Sequence, residues 1–117
     1  MIKVNQFIKT AFSIDDAKAI GAEIDKALKE EHEADLDFEG IQFYTTLFFN
    51  NAITKYIMDL GPAEYKKKFH LRNLNSAGRM TYEHSLDNAE SYYSMSDEAR
   101  KEMSAVVTEV ADEEDNQ

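Results

Sequence analysis

The stretch from Ala34 to Asn51, reading A-D-L-D-F-E-G-I-Q-F-Y-T-T-L-F-F-N-N, changes its hydrophobic period once, and that change constrains the fold most. Leu36 and Phe38 alternate with Asp35, Asp37 and Glu39, which predicts a short strand over 35–39 with one apolar and one acidic face. Gly40 then ends the strand or marks a bulge in the chain leaving it. From Thr45 onward the apolar residues recur at Phe48/Phe49, Ala52/Ile53, Tyr56/Ile57 and Leu60, the spacing of a helix. A strand that passes through a short loop into a helix is half of a βαβ unit. Tyr44, Thr45 and Thr46 lie at that junction, the end of the strand where open α/β sheets place their binding surfaces.

Two further strand–helix pairs flank this unit. Ile2 and Val4 alternate with Lys3 and Asn5, predicting a strand at the start of the chain. Ser13 followed by Asp16 resembles a capping box with a shortened acid, and Asp15 and Asp16 suit the positive end of a helix dipole. Ala17, Ile20, Ile24, Ala27 and Leu28 form one apolar stripe, so a helix is expected from about Ile14 to about Glu31. Gly21 inside it suggests close approach of a neighbour. Gly61-Pro62 stops the second helix, because proline lacks the next backbone donor. Phe69 to Leu74 alternates as a third strand, and Asn75 to Gly78 has turn chemistry. A third helix carries Tyr82, Leu86, Ala89 and Tyr93, and Ser96 with Asp97 and Glu98 predicts the cap of a fourth, striped by Ala99, Met103, Val106 and Val110.

The expected order is therefore β-α-β-α-β-α-α, an α/β fold in one domain spanning 1–111, with 112–117 a disordered acidic tail. Strands joined through helices must be mostly parallel. Each strand is polar on one face: Lys3 and Asn5, Asp35 and Asp37, His70 and Arg72. A doubly wound sheet would show continuous apolar runs, so a small, mostly parallel sheet with helices packed on one face fits better.

Composition excludes several function classes. A net charge of −10 argues against a nucleic-acid partner, which needs a basic face. Lys66-Lys67-Lys68 with His70 and Arg72 is the one basic cluster, and a solvated segment before a strand accounts for it. No apolar run approaches the ~20 residues of a membrane span. The chain has no cysteine, and its first residues lack signal-peptide features, which gives the expectation of a cytoplasmic protein. Asp35-x-Asp37-x-Glu39-Gly40 imitates the start of a calcium loop, but Thr46 stands where the loop requires a bidentate Glu. His32, His70 and His84 lack ligand spacing, and neither a glycine-rich phosphate loop nor a nucleophile elbow is present. No cofactor, no metal and no enzyme activity are expected.

The run Leu36-Asp37-Phe38-Glu39-Gly40-Ile41-Gln42-Phe43 resembles the strand of a STAS domain, the fold of bacterial anti-sigma-factor antagonists, where "LDL-x-GV-x-F" leads into a helix. The similarity is closer to a STAS-like branch of uncharacterised bacterial proteins, with "DFEGI" followed by hydroxyl residues and a phenylalanine-rich helix start, and it covers roughly Ile2 to Leu74. It implies a regulatory protein–protein interaction module. In partner-switching members a junction serine is phosphorylated by a histidine-kinase-like ATPase, on which the unphosphorylated domain docks. By position Thr46 takes the place of that serine and Thr45 that of the preceding acid. The acid is thus missing, and Leu47-Phe48 replaces the usual small residue and glycine. Two readings of the junction follow. Either Tyr44, Thr45 and Thr46 form a protein-partner or phosphorylation surface, or the strand-end crevice senses a small ligand or nucleotide with Lys55 and Arg72 as its basic groups. One of the two threonines is expected to cap the helix, leaving the other hydroxyl surplus to structure.

Overall fold

The computed structural model describes the backbone over residues 1–110 and the side chains over 1–95. Strand β1 (Ile2–Lys3) runs into a 3₁₀ turn (Val4–Gln6), and helix α1 (Ile14–Glu31) leads to β2 (Ala34–Asp37). Helices α2 (Thr46–Ala52), α3 (Tyr56–Leu60) and α4 (Pro62–Lys68) then precede β3 (Phe69–Arg72) and the long α5 (Ser76–Val110). The strands form one parallel sheet in the order β1-β2-β3. Leu36 is paired with Ile2 on one side and Leu71 on the other, while Asp37 is paired with Lys3 and Arg72. Parallel pairs in register put like-facing residues side by side, so one sheet face is apolar and the other charged.

The apolar face carries the core. Leu36 and Phe38 are fully buried with Ile20 and Ile24 of α1, Phe48 and Phe49 of α2, and Ile53 and Ile57 beyond. Phe38 lies at the centre of an aromatic group, 6.5 Å from Phe48, 6.1 Å from Phe49 and 6.0 Å from Tyr44 between ring centroids. On the polar face Arg72 donates to both carboxylate oxygens of Asp35, at 2.7 and 3.2 Å. That bond, with the guanidinium charge, holds the Asp35 carboxyl below its ordinary pKa. Asp37 accepts from the Asn73 amide and from the Glu39 N–H, and its carboxyl is likewise lowered.

Helix α1 has the expected bounds. Asp16 N–H donates to Ser13 Oγ (3.1 Å), and Asp16 Oδ2 accepts from Ser13 N–H (3.0 Å), a complete capping box. His32 closes the helix in the left-handed region (φ 67°). Gly21, however, has no close neighbour: a Cβ there would meet nothing within 4 Å, because the residue faces a groove between α1 and α2.

Three expectations are corrected. The second helix is not continuous to Leu60. The Thr54 N–H reaches back to the Phe49 carbonyl (2.9 Å) and the Thr54 hydroxyl bonds Ser85 of α5, which opens the turn between α2 and α3. The segment between Gly61 and the third strand is helix α4, with Pro62 in its first turn, where a missing donor costs nothing, and Lys66, Lys67 and Lys68 at its negative C-terminal end. The third and fourth helices are one: α5 runs through Ser96, since no glycine or proline interrupts it after Gly78. The stripe from Ala99 to Val110 and the acidic tail 112–117 lie outside the residues whose side chains are described.

Candidate functional site

The chain leaving β2 turns at Gly40, whose φ of 87° favours glycine. It then passes beside the segment before α1. Ala11 N–H donates to the Phe43 carbonyl (2.9 Å), Thr45 N–H to the Ala11 carbonyl (3.0 Å), and Ala11 and Tyr44 form an isolated parallel bridge. This pairing fixes the three junction residues in distinct roles.

Thr45 is the cap of α2. Its Oγ1 accepts from the Phe48 N–H (3.1 Å) and donates to the Phe12 carbonyl (2.7 Å), so its hydroxyl is fully used. Tyr44 is half-buried against the core: its ring stacks on Phe49 (5.8 Å, 6° between planes) and its hydroxyl donates to the Ile41 carbonyl (2.8 Å). Burial pushes its phenol up to about 12. A Cβ on Gly78 of α5 would come within 2.7–3.0 Å of the Tyr44 ring, so α5 approaches there only because residue 78 has no side chain. Thr46 is half-buried, and among the described residues no hydrogen bond involves its hydroxyl. Of the two threonines, Thr45 is thus the cap and Thr46 carries the surplus hydroxyl, while Tyr44 packs against the core.

Around Thr46 lies an apolar rim. Phe12 (47% exposed), Ile14 (39%), Phe43 (59%) and Leu47 (48%) keep much of their surface open to water. Phe12 meets Phe43 edge-on at 6.4 Å. Ile14 faces the groove that Asn51 also lines, and the Asn51 amide donates to the Leu47 carbonyl. Single exposed apolar residues are ordinary, but here four lie near one helix start. Phe12, Ile14 and Leu47 were not legible as site residues. The available signal was that a helix of amphipathic pattern begins with two apolar residues, Leu47 and Phe48, of which only one fits the buried stripe.

Lys55 and Arg72 are not brought together. Arg72 is committed to Asp35 on the polar face, and Lys55 lies over the Tyr56 ring, 5.2 Å from its centroid, between α2 and α3. The basic cluster is likewise engaged: Lys66 with Glu90 (3.6 Å), Lys67 with Glu64 (3.8 Å), Lys68 with the His32 carbonyl (3.3 Å). Among the described residues no three His, Asp or Glu side chains are grouped to hold a metal ion, and no helix is long and apolar enough to cross a membrane.

A three-stranded parallel sheet with an apolar, helix-covered face and a hydroxyl-bearing junction into α2 defines a STAS-like α/β domain. The chain belongs to the family of STAS-like domains of unknown function (DUF4325), whose family model matches residues 16–79, from the first turn of α1 to the start of α5. No curated protein and no solved structure matches it.

Proposed function

We propose that this domain is a regulatory interaction module that binds a protein partner through the surface at the start of α2. The observation that carries the reading is the rim of Phe12, Phe43 and Leu47 around Thr46, whose hydroxyl makes no hydrogen bond among the described residues. Apolar side chains clustered on a surface are the residues that supply binding energy when a partner covers them. The STAS-like family supports a regulatory role, and the resemblance to partner-switching members makes an ATPase of the histidine-kinase-like class the proposed partner. Binding alone is proposed.

Phosphorylation of Thr46 is the proposed switch. A phosphate of charge about −1.5 to −2 would sit among apolar rim residues, and burying it under a partner would carry a desolvation penalty. The test is capture from the native host's lysate on immobilised parent, Thr46→Glu and Phe43→Ser/Leu47→Ser proteins. An ATPase of that class recovered by the parent and lost from both variants supports the proposal. Equal recovery by all three, with the variants folded, removes it.

A further inference from the structure

A second surface lies where α2 and α3 meet α5. Ser85 and Thr54, 0% and 1% exposed, face each other with Oγ and Oγ1 2.8 Å apart. Ser85 Oγ also lies 2.6 Å from Asn50 Oδ1. That separation suits O–H···O and is short for N–H···O, so Ser85 is the donor and the amide oxygen the acceptor. The one Ser85 proton is then spent, so the Thr54 hydroxyl, which also reaches the Phe49 carbonyl at 3.3 Å, donates toward the nearer Ser85 Oγ. The chain of bonds runs one way, from Thr54 through Ser85 to Asn50, and leaves the Asn50 Nδ2 with both protons unused by it.

Asn50 lines an open cleft of about 350 Å³ together with Thr54, Lys55, Met58, Asn88, Ala89 and Tyr92. The volume falls within the range of small-ligand sites. Buried hydroxyls are costly unless hydrogen-bonded, and the Thr54–Ser85 pair with the Phe49 carbonyl would meet that need between the α2–α3 turn and α5. Extending the chain to Asn50 adds something else: an amide held with its donors available in a cleft that Lys55 also lines. A lining that combines amide and ammonium donors with apolar side chains suits a ligand with an anionic acceptor and an apolar body. The chain's charge of −10 opposes anions at long range, but screening limits this to roughly 8 Å at physiological salt.

We infer that this cleft binds a small organic carboxylate, its carboxylate taking donors from Asn50 and Lys55 and its body lying on Met58, Ala89 and Tyr92. The site is separate from the partner surface, and its test involves no partner. The full ¹⁵N-labelled chain is titrated with benzoate and with hexanoate, with benzyl alcohol as the uncharged control. At least one carboxylate gives saturable shifts confined to the amides of Asn50, Thr54, Lys55, Asn88 and Ala89, at least tenfold tighter than benzyl alcohol. Asn50→Asp still accepts from Ser85 but replaces the donor by a negative oxygen, and it weakens binding at least tenfold while melting as the parent does. Lys55→Gln, at an exposed position, weakens it as well and serves if Asn50→Asp does not fold. The inference is overturned if neither carboxylate gives localised, saturable shifts up to about 10 mM, a range that reaches affinities weaker than millimolar. It is equally overturned if benzyl alcohol binds as well, or if the folded variants bind as the parent does.

Discussion

Gly21→Ala and Gly78→Ala are the same chemical change in two helices, and the structure gives them opposite signs. Within a helix alanine is favoured over glycine by about 0.8–1.0 kcal/mol, much of it from the freedom glycine loses on folding. At Gly21 a Cβ meets nothing within 4 Å, so that gain is realised almost whole, and the variant is more stable by about 1 kcal/mol. At Gly78 the same atom lies 2.7 Å from Tyr44 Cε2, 2.8 Å from Cζ and 3.0 Å from Cδ2. The ring cannot easily yield, since Phe49 stacks on it at 5.8 Å and the Ile41 carbonyl holds its hydroxyl. Overpacking of this kind costs about 1–3 kcal/mol. Gly78 also sits in the first turn of α5, where its N–H is bonded to Asn75 Oδ1, so the propensity gain is smaller there. The net loss is about 1–2 kcal/mol, and the two variants differ by about 2–3 kcal/mol. Urea melts of both, read by far-UV circular dichroism at one pH and salt, measure that difference directly. A Gly78→Ala protein as stable as the parent would show that Tyr44 has room to move, and the account of its burial would fail.

The core and the cap give further expectations. Phe38→Ala empties the centre of the aromatic group and lowers stability by about 3–5 kcal/mol in the same melts, and a loss under 1 kcal/mol would contradict its placement. Thr45→Ala removes the α2 cap and costs about 0.5–2 kcal/mol, whereas Thr46→Ala stays within about 0.5 kcal/mol of the parent. The reverse order would move the cap to Thr46 and make its hydroxyl structural. Asp35 and Asp37 have folded pKa values depressed by Arg72 and Asn73, so their stabilisation is present above the unfolded value near ~3.9 and is lost as pH falls through the lower folded values. Melting points measured from pH 6 downward therefore fall below about pH 4, and Arg72→Gln makes that fall shallower.

Much of the fold was legible because its signals are local. Ser13 and Asp16 announce the first helix within four residues, and the stripe from Ala17 to Leu28 continues it. The two-faced sheet follows from alternation in each strand, which parallel register preserves across the sheet. What escaped the sequence depends on distant partners. The break between α2 and α3 is caused by Thr54 turning toward Ser85, while the apolar stripe runs on unbroken through Ile53, Tyr56 and Ile57. Ser96-Asp97-Glu98 has the composition of a helix start, yet nothing before it ends α5. At the junction, the choice between Thr45 and Thr46 as cap is made by Phe12 and Ala11, far back in the chain. Tyr44 looked exposed because the glycine that admits its ring belongs to another helix.

The proposed partner surface at the start of α2 is best tested by an affinity measured between purified proteins. The captured ATPase is titrated calorimetrically with the parent, with Phe43→Ser/Leu47→Ser, and with Asp35→Asn/Arg72→Gln on the opposite sheet face as the control. The α2 variant is expected to bind more than tenfold more weakly, a loss of about 1.4 kcal/mol, and the sheet-face variant to bind as the parent does. Unchanged binding by a folded Phe43→Ser/Leu47→Ser protein, with loss in the sheet-face variant, would place the interface on the charged side of the sheet and contradict the claim.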